Sequence, residues 1–203
     1  MNEEKNSTLI AEPNAPTLET PKKSKAKEIF REIVIFIIIA FGIVLPFRIY
    51  IAEPYLVDGR SMDPTFATGD YLIVDKLSYE LGKPKRNSVV VFRYPNDPSK
   101  SFIKRIIGLP GETVTMKDNA VSIMNEGNPE GFAIDQSYVT HPFPGSFEKK
   151  LGRDEYFVMG DNRAESFDSR FWGPLPKKYI LGKPIVRLWP IKQIGFLPGN
   201  DDK

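Results

Sequence analysis

Cysteine is absent from the 203 residues of the chain, and histidine occurs only once. The absence of cysteine excludes disulfide frameworks, thiolate zinc sites and cysteine nucleophiles, although it identifies no redox compartment. The single histidine, His141, is followed by Pro-Phe-Pro, a pattern typical of an exposed loop rather than of a catalytic base. Any hydrolase built from this sequence therefore has to work without imidazole.

A strong excess of charge of either sign is also lacking. The 28 basic and 26 acidic residues leave a formal net charge of +2, which gives no indication of a nucleic-acid partner. Residues 160–170 are rich in Asp, Asn, Ser and Gly, but their acidic residues miss the spacing of a calcium-binding EF-hand loop. The sequence thus predicts neither a metal nor a cofactor.

The N-terminal part has two sections of opposite character. Residues 1–31 are mostly polar and show no apolar period, which predicts a disordered tail with a basic run near its end. Residues 32–52 are almost all apolar, and about 20 residues at about 1.5 Å each suffice to cross the hydrocarbon core of a membrane. The basic flank predicts a single-pass cell-membrane protein with its N-terminus in the cytoplasm and residues 53–198 outside.

Three alternatives to a membrane helix fit the apolar segment less well. A cleaved signal peptide has a shorter n-region and a shorter apolar core. A buried soluble helix is rarely apolar on every face, and a helix in the membrane interface needs a polar face that this segment lacks. We therefore expect the chain to have the lipid bilayer as a partner. We also expect it to be monomeric.

Short β-branched and aromatic segments with frequent turns fill residues 53–198, about 150 residues, which suffices for one domain. The pattern predicts a mostly β domain that is closed or coiled on itself, followed by a C-terminal tail at residues 199–203. Asp118 and Asn119 predict a hairpin turn, whereas residues 125–152 stay unassigned. The predicted strands are residues 71–75, 88–94, 102–107, 112–117, 120–124, 155–159 and 179–189.

Ser61 and Lys104 are the candidates for catalysis. Ser61 lies in Gly-Arg-Ser-Met-Asp-Pro-Thr shortly after the apolar segment, although these residue types also favour a plain turn. A serine nucleophile needs a base, and burial among apolar groups can lower the pKa of a lysine by about 3–5 units. Lys104 lies among apolar residues with no acidic residue nearby in the sequence, and a lysine facing solvent from a strand is the alternative.

Residues 160–170 have two interpretations. Their side chains suit a structural loop in which polar groups bond the backbone and aspartates contact arginines. In the functional interpretation, Ser166 donates or accepts a hydrogen bond at the amine of Lys104 and directs its lone pair towards Ser61.

Four motifs occur in a distinctive order along the chain: Ser61-Met62-x-Pro64-Thr65, Gly69-Asp70, Lys104-Arg105-Ile106-Ile107-Gly108-Leu109-Pro110-Gly111 and Gly160-Asp161-Asn162-Arg163-x-x-Ser166-x-Asp168-Ser169-Arg170. This set resembles that of the bacterial type I signal peptidases over roughly residues 53–198. The resemblance implies a membrane-bound Ser-Lys endopeptidase that removes signal peptides from translocated preproteins. It also implies a coiled, mostly antiparallel β-sheet as the catalytic domain.

The resemblance assigns a role to each matching residue. Ser61 resembles the nucleophile, Lys104 the general base and Ser166 the residue that orients the lysine. The residues that resemble the supporting network are Asp161, Arg105, Asp168 and Arg170.

The sequence departs from some relatives in three places. Some relatives have a serine hydroxyl for the oxyanion hole at the position of Gly59, so here the hole is expected to use backbone N–H groups. The chief donor is expected to be the N–H of Ser61, with a contribution near Gly59. Ala164-Glu165 replaces the Asp-Asn of many relatives, between the key residues. The segment between residues 111 and 155 is short, which implies a reduced second lobe.

The substrate is expected to lie extended between residues 53–59 and residues 101–104, where it adds a strand to the sheet. Shallow pockets would then accept only small side chains at the positions one and three before the cut, the Ala-x-Ala preference that the resemblance implies. The residues expected to line these pockets are Tyr55, Val57, Met62, Phe102 and Ile103, although each also suits ordinary core packing.

Two other functions stay open at this point. One is a self-cleaving Ser-Lys protease of the repressor type, which is soluble and linked to DNA. The other is an anchored binding module that has kept the fold without the activity.

Overall fold

β-branched and aromatic residues dominate the segments that form strands, because they pack well on a pleated surface. The computed structural model of the chain describes residues 25–45, 52–196 and 198–199. Its helices are α1 (Lys25–Ile39), a following π-helical turn (Ala40–Val44), α2 (Leu77–Leu81) and α3 (Ser169–Trp172). Its strands are β1 (Ala52–Leu56), β2 (Tyr71–Asp75), β3 (Val89–Tyr94), β4 (Asp97–Gly108), β5 (Thr113–Lys117), β6 (Ala120–Asn125), β7 (Asn128–Ala133), β8 (Ser146–Lys150), β9 (Glu155–Met159), β10 (Leu175–Pro176), β11 (Ile180–Trp189) and β12 (Gly195–Phe196).

The strands form two antiparallel sheets. The large sheet has the order β1-β2-β11-β3-β4-β9-β10, with β12 paired to β11, and the small sheet has the order β7-β6-β5-β8. Although β1 and β4 are separated by three strands, residues of both line one cleft. The large sheet therefore curls on itself, as a mostly β, coiled architecture predicts.

The small sheet contains the predicted hairpin and also residues for which no strand was predicted. Asp118 and Asn119 connect β5 to β6 with φ angles of 48° and 70°, as expected for a tight hairpin turn. Residues 125–152, which the sequence pattern leaves unassigned, contribute β7 and β8. β8 pairs with β5 and forms one edge of the small sheet, which is the second lobe.

The two sheets meet where β4 ends. The apolar faces of the small sheet pack against β9 and the end of β4 in one buried cluster, which contains Ile107, Val114, Met116, Val121, Ile123, Leu151, Phe157 and Met159. Gly108 allows this close approach, because a Cβ atom added there would lie 2.4 Å from Val114 and 2.8 Å from Leu151. The position of Lys104, four residues earlier on β4, is thus fixed by packing at the junction.

The predicted membrane helix extends beyond the described residues. Helix α1 and the π-helical turn reach residue 44 and expose their apolar side chains, including Phe36 and Phe41. Residues 46–51 lie outside the described residues, as do residues 1–24 of the predicted tail and residues 200–203 at the other end. Within the described part of the chain, no helix is long and apolar enough to cross a membrane.

Replacement of Gly108 by alanine tests the packing of the two sheets. We expect Gly108→Ala to destabilise the protein by about 1–3 kcal/mol, because the added methyl group overfills the junction. Gly127→Ala is the matched control, since its nearest neighbour would lie at 3.6 Å. Denaturant unfolding of the purified variants measures the difference, and equal midpoints would contradict a rigid junction.

Candidate active site

Ser61 lies in the turn that follows β1. The pairing of β1 with β2 continues for one residue, as the N–H of Val57 donates to the carbonyl of Asp70 over 2.9 Å. The chain then turns at Gly59, whose φ of +100° is a conformation that glycine adopts without strain. The hydroxyl of Thr68 bonds both the N–H and the carbonyl of Gly59 at 3.1 Å, which fixes the turn before the serine.

A second loop holds Ser61 from the other side. The N–H of Asn162 donates to the carbonyl of Ser61 over 3.1 Å, and the side-chain amide of Asn162 donates to the carbonyl of Arg60. Gly160 is required here, because a Cβ atom at this position would lie 2.2 Å from the carbonyl oxygen of Ser61. Neither Gly160 nor Asn162 has a role predicted from the sequence, although both belong to the fourth motif.

Lys104 projects from β4 towards Ser61 and is buried, with 4% of its surface exposed. Its Nζ lies 2.6 Å from Oγ of Ser61 and donates to the carbonyl of Ile103 over 2.9 Å. Burial lowers the pKa of Lys104 to about 8, against the opposing influence of Asp168 and Asp161. The structure thus brings the two predicted residues into direct contact, and burial shifts the amine towards its neutral form relative to a free lysine.

Ser166 does not make the predicted hydrogen bond to Lys104. Its hydroxyl donates to Oδ2 of Asp168 over 2.6 Å and accepts the N–H of Gly160 over 3.2 Å. In the described residues, the hydrogen bonds of the lysine amine go to Ser61 and Ile103 instead. Ser166 is buried next to the dyad, and its bonds position the Gly160 backbone rather than the amine.

Arg105 and Asp161 form a buried ion pair beneath the serine turn. Two parallel bonds of 2.9 and 2.6 Å join the guanidinium to the carboxylate, and the arginine also donates to the carbonyl of Asn87. Asp161 accepts a further bond from the hydroxyl of Thr65 over 2.6 Å. The pair therefore ties β4 to the loop after β9 and to the turn that carries Ser61.

Asp168 and Arg170 form a second buried pair. The guanidinium bonds the carboxylate at 2.8 and 2.9 Å and also donates to the carbonyls of Arg163 and Ser166. The carboxylate accepts the N–H of Gly160 over 3.0 Å. All four predicted supporting residues outside Ser166 thus lie in two ion pairs that hold the loop against the dyad.

A cleft of about 260 Å³ opens at Ser61 and Lys104. Four of the five predicted substrate-contacting residues line it, namely Tyr55, Val57, Phe102 and Ile103. The prediction for Met62 is wrong, because its side chain is 1% exposed and packs in a core cluster with Val57, Phe66, Leu72 and Val89. Leu56, Asp58 and Ser101 also line the cleft and belong to the segments expected to pair with the substrate. Lining residues without a predicted role are Arg60, Leu72, Val91, Glu165 and Phe167.

The two predicted oxyanion residues differ in their hydrogen bonds. The N–H of Gly59 donates to Thr68 and is already bonded. A backbone or water contribution near Gly59 stays a prediction. Within the described residues, the N–H of Ser61 has no hydrogen-bond partner. The same residues contain no group of three His, Cys, Asp or Glu side chains that could hold a metal ion.

Comparison with known families agrees with this arrangement. The family model for signal peptidases, peptidase S26, matches residues 30–189. The chain belongs to this family. It is accordingly a serine peptidase, and the cleft with Ser61 and Lys104 is its candidate active site.

Relatives of this signal peptidase family match most of the chain. A probable signal peptidase I-2 of Synechocystis sp. is 35% identical over 192 residues, which cover 91% of this chain and 83% of the relative. A signal peptidase I of Leptolyngbya laminosa is 35% identical over 208 residues, 93% of this chain and 97% of the relative. The crystal structure of a signal peptidase I from Enterococcus faecalis matches with 28% identity and a TM-score of 0.43, over 50% of this chain and 96% of that one.

The buried lysine has a consequence for stability that depends on pH. Because burial lowers its pKa from 10.5 to about 8, the unfolded chain binds more protons between these values, and stability rises with pH in this window. Below pH 8 the cost is fully developed, about 3 kcal/mol at about 1.4 kcal/mol per pKa unit. We expect Lys104→Met to be more stable than the parent at pH 7, by up to this amount.

Denaturant unfolding at pH 7 and at pH 10 measures this effect. The advantage of Lys104→Met over the parent should shrink at the higher pH, whereas Lys117→Met, at an exposed position, should show no such trend. An advantage that stays constant from pH 7 to pH 10 would contradict a buried lysine with a lowered pKa.

Proposed function

We propose that the chain is a membrane-bound serine endopeptidase that removes N-terminal signal peptides from exported preproteins. Ser61 is the nucleophile and Lys104 is the general base. The observation that carries the proposal is the 2.6 Å contact between the buried amine and the serine hydroxyl, at the floor of an open cleft. Family membership supports the reaction class, and the contact supports the roles of the two residues.

The proposed mechanism begins with the neutral amine of Lys104, which accepts the proton of Ser61 as Oγ attacks the scissile carbonyl carbon. The N–H of Ser61 stabilises the negative oxygen of the tetrahedral intermediate. Lys104 then gives its proton to the departing amine nitrogen, which releases the mature protein. A water molecule, deprotonated by the same amine, hydrolyses the acyl-enzyme and regenerates the serine.

Two open strand edges support binding of the substrate as an extended chain. β1 is the end strand of the large sheet and pairs with β2 alone among the described strands. β4 pairs with β9 only from Arg105 onwards, so residues 97–104 keep one open edge. A substrate strand that hydrogen-bonds these edges would place its scissile bond at Ser61.

The cleft also supports a preference for small side chains. Successive side chains of an extended peptide point to opposite sides, so the residues one and three positions before the cut face the same wall. The wall is apolar, with Val57, Leu72, Val91 and Ile103, and the whole cleft measures about 260 Å³. The apolar wall and the limited size of the cleft favour small side chains at both positions, which is the basis of the proposed Ala-x-Ala specificity.

The anchor is part of the same proposal. The apolar residues of α1 and the π-helical turn are exposed in the isolated chain, and the basic run precedes them in the sequence. We place one membrane span at residues 32–52, with residues 1–31 in the cytoplasm and the catalytic domain on the outer face of the cell membrane. A monomer suffices, because one chain supplies both catalytic residues.

Replacement of either catalytic residue tests the function. Ser61→Ala and Lys104→Met should each reduce cleavage of a purified signal-bearing precursor by at least about 10³-fold, because neither residue acts without the other. The matched controls are Ser146→Ala and Lys117→Met, at exposed positions outside the cleft, which should leave the rate unchanged. Mass spectrometry of the products locates the cut, and normal processing by Lys104→Met would contradict the proposed mechanism.

The rate should also depend on pH in a defined direction. Because the pKa of Lys104 is lowered to about 8, kcat/KM should fall about tenfold per pH unit below this value, as the amine becomes protonated. A peptide substrate without titratable side chains isolates the contribution of the enzyme. A flat profile from pH 5 to pH 9 would show that the reacting base is not this lysine.

A further inference from the structure

A row of aromatic rings leads out of the cleft. We call it the aromatic strip, and it consists of Phe102, Tyr94, Phe167, Phe171 and Phe143. The ring of Tyr94 stacks on Phe102 at a centroid distance of 5.0 Å and meets Phe167 edge-on at 5.9 Å. Phe167 stacks on Phe171 at 5.8 Å, and Phe143 contacts Phe171 at 6.2 Å. The strip is continuous, because each ring touches the next.

The strip combines exposure with a fixed geometry. Phe167 is 51% exposed and Phe171 is 56% exposed, although both are large apolar side chains. A contiguous exposed apolar surface of this kind is characteristic of a binding site. Trp172 fixes the strip from below, since its ring contacts Tyr94 at 5.8 Å and its indole N–H donates to the carbonyl of Phe167. The exposed rings are therefore held in place before any ligand arrives.

The strip is part of the same cleft as the dyad. Phe102 and Phe167 line the cleft together with Ser61 and Lys104. The Nζ of Lys104 lies 5.4 Å from the centroid of the Phe102 ring, so the proton donor for the departing amine stands beside the first ring of the strip. The segment that leaves after cleavage must begin within reach of this amine. Its first residues therefore lie close to Phe102, the ring of the strip that also lines the cleft beside the small-residue pockets.

Two ion pairs lie beside the strip. Arg60 and Glu165, which also line the cleft, form an ion pair at 3.2 Å. The guanidinium of Arg170 lies 5.6 Å from the centroid of the Phe171 ring, and its charge is paired with Asp168. The chemical character that the strip presents to a substrate is thus aromatic and apolar.

We propose that the aromatic strip is a specificity subsite that binds an aromatic side chain at the first or second position after the cut. This inference rests on the proposed signal-peptide cleavage and names a preference within its substrate class. Edge-to-face and stacked contacts with Phe167 and Tyr94 favour an aromatic residue there over alanine. Preproteins whose mature part begins with such a residue are the better substrates.

The test compares peptides that share one sequence before the cut and carry alanine, phenylalanine or aspartate at the first or second position after it. For the full-length protein in detergent, kcat/KM should be about two- to tenfold higher with phenylalanine than with alanine at one of these positions, the strength of a single aromatic pair. Phe167→Ala should lower this ratio to about one, and Phe167→Trp should retain it. Phe196→Ala is the matched control, because Phe196 is 85% exposed and does not line the cleft.

Each outcome decides for or against the inference. A ratio that depends on Phe167 and survives in Phe196→Ala supports it. If the parent cuts the alanine and phenylalanine peptides equally well, or if Phe167→Ala slows both by the same factor, the strip has no role in specificity while the proposed function stands. If no peptide of the set is cut, the proposed function fails, and the inference fails with it.

Discussion

The site depends on the contact between a serine hydroxyl and a buried lysine amine whose pKa is lowered to about 8. Burial is the largest influence that lowers the pKa of Lys104, whereas the nearby carboxylates of Asp168 and Asp161 raise it. Each carboxylate is held in a two-bond pair with an arginine, and the charge of Arg170 also acts directly to lower the pKa of the lysine. The ion pairs thus have an electrostatic effect besides their structural one, because the arginines offset the carboxylate charges that would raise the pKa of the amine.

The coiled sheet explains how three distant parts of the sequence meet. β1 delivers the serine turn, β4 delivers the lysine, and the loop after β9 delivers the two aspartates. The bonds that connect them are specific, from Asn162 to the carbonyl of Ser61 and from Thr65 to Asp161. Since these contacts are buried and fully directional, the geometry of the dyad is set by the fold before a substrate binds.

Much of this could be predicted from the sequence, and the remainder has physical reasons. All seven predicted strands occur within a few residues of their expected bounds, because their β-branched runs carry the signal locally. β1, β7, β8, β10 and β12 are not among the predicted strands. The pairing of β7 and β8 with β6 and β5 depends on distant residues and not on their own polar composition. Met62 follows Ser61 in a turn, where no strand period tells whether a side chain faces the core or the cleft. The bond between Thr68 and Gly59 likewise depends on the conformation of the turn, which is not visible in the sequence.

Several features that do not stabilise the folded chain occur at the cleft. A buried lysine with a lowered pKa reduces stability at neutral pH, and exposed phenylalanines leave apolar surface in water, so neither feature helps the chain to fold. Both occur at the same cleft, next to a serine whose N–H has no partner in the described residues. Elsewhere among the described residues, three buried clusters hold apolar side chains, although Phe196 and the apolar residues of α1 are exposed as well. A buried lysine, an exposed phenylalanine ring and an unbonded N–H thus occur together at this cleft, as expected of a site for catalysis and substrate binding.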